Sequence, residues 1–242
     1  MTNRYKIAEK VVEITSIYED VHTYCAAYHT AEAADYAVTI CRADIDYERE
    51  RAHREAIYEG LPVHIFSDAE YEKTAVYRKI ADQMIAYDTL LLHGSVVAVD
   101  GEAYLFTAKS GTGKSTHTRL WREYFGDRAV MVNDDKPLIH VGETATVYGT
   151  PYNGKHRLGT NIAVPLKAIC ILTRSAQNHI ESVTRGQVYA LLVQQVYRSP
   201  DIAKMQKTLQ LVDRLSEQVR LYRLGCNTDV SAAEVSYRGM QA

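Results

Sequence analysis

The 242-residue chain is poor in cysteine, proline, phenylalanine and tryptophan, with four Cys, five Pro, three Phe and one Trp. Cys25, Cys41, Cys170 and Cys226 form no Cys-x-x-Cys pair and accompany no His cluster at zinc spacing. Neither a disulfide framework nor a zinc ribbon is therefore expected. The four read as buried, reduced thiols, which suits a cytoplasmic protein. No stretch approaches the ~20 apolar residues of a membrane-spanning helix. Met1 to Lys10 lack the apolar centre of an export signal. Positive charge is not in excess either: 28 Lys and Arg face 30 Asp and Glu, a formal charge of −2. Without a global basic field, neither nucleic acid nor a membrane is the expected partner. Proline and glycine never cluster into a linker, and no internal repeat is visible.

What remains is an ordinary globular composition, 46% hydrophobic and 24% charged, with an unusual eighteen Tyr. A chain of this length buries roughly 70–75% of its unfolded surface and needs no staples. Residues 1–65 read as a small N-terminal α+β lobe. It has strands at Val11–Ile14 and Asp35–Ile40, a helical stretch from Val21 to Tyr28, and a run of mixed charge from Asp44 to Glu59. That run reads as a solvated face. A helix is expected after Phe66, where Ser67 and Glu70 form a capping box and Phe66 can staple onto Tyr71. Val76, Ile80, Met84 and Tyr87 then recur on one face.

Residues 66–242 read as an α/β domain. Val96–Val99, Asp100-Gly101 and Glu102–Thr107 spell a hairpin. Further strands are expected at Ala129–Val132, Thr146–Tyr148, Ala168–Leu172 and Val219–Leu224. Helices are expected at Gln187–Val196, Asp201–Gln218 and Ser231–Met240. Alternation of strands and helices argues α/β.

The chemistry is concentrated in Ala108-Lys109-Ser110-Gly111-Thr112-Gly113-Lys114-Ser115, which follows a strand and precedes a helix-compatible run, Thr116–Phe125. It carries the Gly-Lys-Ser end of a phosphate-binding loop, with Ala108 where the first glycine usually stands. Gly111 and Gly113 allow backbone N–H groups to turn inward around phosphate oxygens, and the helix start adds its positive dipole end. Lys114 supplies a compact ammonium for the β- and γ-phosphates, and Ser115 a hydroxyl for Mg²⁺. Ser110, Thr112 and Thr116 complete the expected nucleotide contacts. About twenty residues on, the apolar run Ala129–Val132 ends in Asn133-Asp134-Asp135. Adjacent side chains on a strand face opposite ways, so both carboxylates reach one site only if the strand stops there. One would hold the metal and the other would take the proton of an attacking hydroxyl. A polar loop, Gly149 to Asn161, offers Lys155 and Arg157 for a phosphate or an acidic substrate.

His93-Gly94-Ser95 with Val96–Gly101, then Ala108–Ser115, then Asn133-Asp134-Asp135, resembles the catalytic domain of the HPr kinase/phosphorylase family. That family shares its phosphate-loop fold with ATP-type phosphoenolpyruvate carboxykinases. The resemblance is good over residues 90–175 and slight over the first 65. It implies a core with a mixed sheet, His93 near the transferring phosphate, Lys114 and Ser115 as phosphate- and metal-binding pair, and Asp134 and Asp135 as metal ligand and base. Ser115 and Asp134 are the expected metal ligands, although the sequence alone does not divide the two aspartate roles. Thr116 stands where the family usually has Glu, and the C-terminal family signature that engages HPr has no copy here.

The resulting expectation is an ATP- and Mg²⁺-dependent kinase acting on a peptide or protein serine or a small hydroxylated molecule. Two alternatives stay open: a nucleotide-binding regulatory module without phosphotransfer, and a carboxykinase-like enzyme of a small organic acid. A homo-oligomer is also left open.

Overall fold

The computed structural model describes residues 1–60, 62–154 and 156–241, which divide into two compact units, Met1–Gln83 and Met84–Ala242. The first unit opens with strands β1 (Thr2–Ile7) and β2 (Lys10–Thr15), then a short helix α1 (Asp20–Tyr24) and strand β3 (Tyr36–Thr39). β1 pairs antiparallel and β3 parallel with β2, giving a three-stranded sheet. Helices α2 (Arg42–Glu59) and α3 (Asp68–Met84) follow.

The charged run from Asp44 is thus a helix, and most of its surface is exposed, laced by pairs such as Arg49–Asp46 (2.6 Å) and Arg51–Glu55 (3.1 Å). Ile45 and Glu48 are buried, and Arg78 of α3 and Arg51 (3.3 Å) both pair with Glu48. A buried carboxylate is tolerated because it is paired. Glu72 of α3 accepts from the backbone N–H groups of Ile17 (2.6 Å) and Tyr18 (2.8 Å). Ser67 Oγ accepts from Glu70 N (3.3 Å), and the Phe66 and Tyr71 rings meet edge to face at 5.9 Å, as the sequence pattern anticipated.

The second unit contributes β4 (Thr89–Leu91), β5 (Ser95–Val99), β6 (Glu102–Thr107), helix α4 (Lys114–Phe125), β7 (Ala129–Asn133), β8 (Leu138–Val141) and β9 (Ala145–Tyr148). It continues with β10 (Ala163–Arg174), β11 (His179–Ser182), α5 (Arg185–Gln195), α6 (Ile202–Gln218), β12 (Arg220–Cys226) and α7 (Ser231–Gln241). The nine strands form one mixed sheet, ordered β4-β8-β9-β10-β6-β5-β7, with β12 beside β10 and β11 beside β12. Asp100 (φ 53°) and Gly101 (φ 82°) make the tight β5–β6 turn that the Asp-Gly pair promised.

Side chains alternate between two cores on opposite faces of this sheet. Val96, Leu105, Ile169 and Leu221 pack with Leu192 of α5 and Leu211 and Leu215 of α6. Val97, Tyr104, Phe106, Cys170 and Leu224 pack with Trp121 of α4 and Ala233 and Met240 of α7. Helices therefore cover both faces, an α/β architecture.

The four thiols are free, and Cys25 and Cys170 are buried as expected. Cys41 departs from that expectation: it is exposed at the start of α2, where its thiol donates to Asp44 Oδ2 (3.3 Å) and the same oxygen accepts from Cys41 N (3.0 Å) in a capping box. Among the described residues, no helix is long and apolar enough to cross a membrane.

Candidate functional site

Strand direction decides where the candidate residues meet. β6, β10 and β12 run parallel, and β7 shares their direction because β5 is antiparallel to both β6 and β7. The carboxyl ends of all four strands therefore lie along one edge of the sheet, together with the amino end of β5. Such an edge is where open α/β sheets bind ligands. The 108–113 loop leaves β6 there, the Asp134–Asp135 turn leaves β7 there, and His93 enters β5 there.

In the loop, Gly111 (φ 73°) and Gly113 (φ 121°) adopt left-handed backbone, Gly113 as the cap of α4. A Cβ on Gly113 would have room, 3.9 Å from the Thr116 Cβ, so its glycine answers a conformational demand and not a steric one. Ala108 is buried, and its carbonyl accepts from Lys114 Nζ (3.4 Å). Burial lowers the Lys114 ammonium below the ordinary lysine value, against the opposing charges of Asp135 and Asp134. Ser115 is exposed, as are Ser110 and Gly111, while Thr112 and Thr116 are half-buried.

β7 ends at Asn133, so both following carboxylates turn off the strand into the site. Asp134 is buried, and its Oδ1 accepts from Ser95 Oγ (2.7 Å), which also lies 2.8 Å from Thr118 Oγ1 on α4. Asp135 is half-buried; its Oδ1 lies 3.3 Å from His93 Nε2, and its Oδ2 lies 3.6 Å from Lys136 Nζ. Burial pushes the Asp135 carboxyl upward, but the His93 contact and the charges of Lys136, His93 and Lys114 prevail and hold it below the ordinary carboxylate value. The other imidazole nitrogen, Nδ1, donates to Gln195 Oε1 (3.1 Å) at the end of α5.

Asn133 fixes this turn from beneath. Its Oδ1 accepts from the N–H groups of Asp135 (2.9 Å) and Lys136 (2.7 Å). Its Nδ2 donates to Thr150 Oγ1 (2.9 Å) and the Tyr152 carbonyl (3.3 Å), fastening the 149–161 loop alongside. Gly154 passes so near Asp134 that a Cβ there would stand 3.1 Å from Oδ2. Arg157 has left-handed backbone (φ 49°), an exposed side chain and an N–H bonded to the Gly154 carbonyl (3.2 Å). Lys155, the other expected substrate contact, lies outside the described residues.

The family model for the SynChlorMet cassette protein ScmC matches residues 71–228. The chain belongs to the ScmC family. No curated protein matches it. The solved HPr(Ser) kinase/phosphatase from Coxiella burnetii is similar at a TM-score of 0.36 and 9% identity, over 62% of this chain and 88% of that one. Likeness at that level fixes neither activity nor ligand. The ScmC match contains the loop, His93, both aspartates and Arg157.

In this ScmC-family chain, His93, Lys114, Asp134 and Asp135 gather at one sheet edge. Ser95, Thr118, Asn133 and Gln195 support them and were not singled out from sequence. Ser95 and Asn133 adjoin the motif residues and carried a local signal. Gln195 stands 102 residues from His93, and nothing nearby marks it.

Proposed function

We propose that this ScmC-family protein is an ATP- and magnesium-dependent phosphotransferase that moves the γ-phosphoryl group onto a hydroxyl. The observation that carries the reading is geometric: the glycine loop with Lys114 at the start of α4 and the Asp134–Asp135 turn after β7 lie at the same edge of the sheet. A helix N-terminus with left-handed glycines accommodates phosphate oxygens, and Lys114 then faces the β/γ end of the chain.

Asp134 and Ser115 suit magnesium, a hard ion held by one or two carboxylates together with phosphate oxygens and waters. Ser95 occupies Oδ1 of Asp134, so Oδ2 is the oxygen turned to the Gly154 side. When bound, the ion would neutralise phosphate charge.

Asp135 is ionised at neutral pH and accepts the acceptor's hydroxyl proton as the new P–O bond forms and the bond to the β-phosphate oxygen breaks. The products are a phosphate monoester and ADP. A carboxylate below its ordinary pKa is a weak base, which suffices where the transition state is loose and the proton leaves late. His93 orients Asp135 and shares the arriving proton. Arg157, on the adjoining loop, is assigned to the acceptor side. The acceptor is a peptide or protein serine or a small hydroxylated molecule. A labelled-ATP screen over these classes tests the reading. Acceptor-dependent transfer that Lys114→Ala abolishes is expected, and binding of ATP with no transfer to any class would sink it.

A further inference from the structure

A cleft of about 540 Å³ opens on the other side of the loop, at the carboxyl ends of β10 and β12. Its size lies within the roughly 300–1,000 Å³ of small-molecule sites. Its walls are Gly111 to Gly113 of the loop, the Arg174–Ala176 turn after β10 and the Cys226–Thr228 turn after β12, with Thr116 and His117 of α4. The two turns are braced to each other: Ser175 N donates to the Cys226 carbonyl (3.0 Å), Asn227 Nδ2 to the Ala176 carbonyl (3.1 Å), and Asn227 N to Asn178 Oδ1 (2.9 Å). Arg174 donates to the Gly111 carbonyl (2.7 Å), tying the cleft wall to the loop itself. His117 is buried, and its Nδ1 has no hydrogen-bond partner among the described residues.

The side chains around the loop divide between this cleft and the carboxylates. Thr116 and His117 of α4 line the cleft, whereas Thr118 meets Ser95 (2.8 Å), the hydrogen-bond partner of Asp134, and Lys114 feels the charges of Asp135 and Asp134. In the sheet, β10 and β12 lie on one side of β6, and β5 and β7 on the other. A nucleotide whose terminal phosphate meets Lys114 on the carboxylate side must carry its nucleoside away from Asp134 and Asp135. On the carboxylate side Ser95, Thr118 and Asp134 are buried and Gly154 passes close to Asp134.

We propose that the β10–β12 cleft seats the nucleobase and ribose of the nucleotide, with Arg174 positioning the loop against them. The proposal rests on the nucleotide reading above. Only one of the five donors of the Arg174 guanidinium is needed for Gly111, so the same side chain can reach ribose or α-phosphate oxygens.

The test compares Mg-ATP with Mg-tripolyphosphate, which has phosphates but no nucleoside, by calorimetry. Ala176 and Thr228 are exposed on the two turns, outside the loop, and Ala176→Trp and Thr228→Trp each place a bulky ring at the cleft. Each variant is expected to lose about tenfold or more in ATP affinity while tripolyphosphate affinity stays within about twofold. Two walls are probed so that one misfolded variant leaves the other to decide. Unchanged ATP affinity in a folded variant, or equal loss of both ligands, overturns the cleft assignment and leaves the nucleotide reading standing. Failure of the unaltered protein to bind either ligand overturns both.

Discussion

Lys114 is held between opposing influences, burial lowering its proton affinity and two carboxylates restoring it, with burial the stronger. Its charge is lost, as pH rises, around a midpoint below the ordinary lysine value of 10.5. Nucleotide affinity should follow the same course and fall on the alkaline side. Binding there should take up a proton, visible as a dependence of the measured heat on buffer ionisation enthalpy. Asp135→Asn keeps the shape and removes the proposed base. It should spare ATP binding while lowering transfer by about 10²–10⁴, the usual worth of a positioned acid or base. Ser95→Ala removes one hydrogen bond to a charged oxygen, worth about 1.5–3 kcal/mol. It should weaken Mg²⁺-dependent nucleotide binding with little effect on binding measured without the metal.

Among the elements, α4 does two jobs: its first turn faces the site and its later turns anchor the core. His117 and Trp121 meet Ser236 of α7, with Trp121 Nε1 donating to Ser236 Oγ (2.9 Å). Burial drives the His117 imidazole from the ordinary 6.5 down to about 3. In the unfolded chain it takes a proton that the folded chain refuses. Stability from this group is therefore complete above pH 6.5 and is lost as pH falls from 6.5 toward 3. The slope is about 1.4 kcal/mol per pH unit for one proton. Denaturant titrations across that range should show a shallower slope for His117→Gln than for the unaltered protein, though His117→Gln will be less stable at neutral pH. The β6–loop–α4 unit and the Asp-Gly hairpin were legible in the sequence because their signals are local, glycine spacing and turn chemistry. α2 was not read as a helix because its apolar positions are few and its buried side includes Glu48. β8 and β11 are four residues each and carry no pattern longer than their own length. Arg174 became visible only through strand register, and Gln195 only through the placing of α5 beside His93, neither of which a local pattern encodes.

At the scale of the whole molecule, the formal charge of −2 conceals a division. Residues 1–83 hold ten Lys and Arg against sixteen Asp and Glu, and residues 84–242 hold eighteen against fourteen. The unit that carries the candidate site is thus positive, which suits the triphosphate proposed for it. ATP association measured by stopped flow should slow as salt shortens the screening length from ~30 Å at 0.01 M to ~3 Å at 1 M. The proposed acceptor leaves no such imprint on composition, because a hydroxyl is recognised by shape and a few hydrogen bonds.

The parallel alignment of β6, β10 and β12 has a kinetic corollary. Leu105 pairs with Ile169, and Ile169 with Leu221, so each strand must find a neighbour more than fifty residues away along the chain. Contacts of that span come late and slowly in folding. The loop and its helix can form early, but the wall that Arg174 lends to Gly111 exists only once the sheet has closed. A ligand spanning both would register completion of the fold, and its appearance on refolding should coincide with the slowest phase.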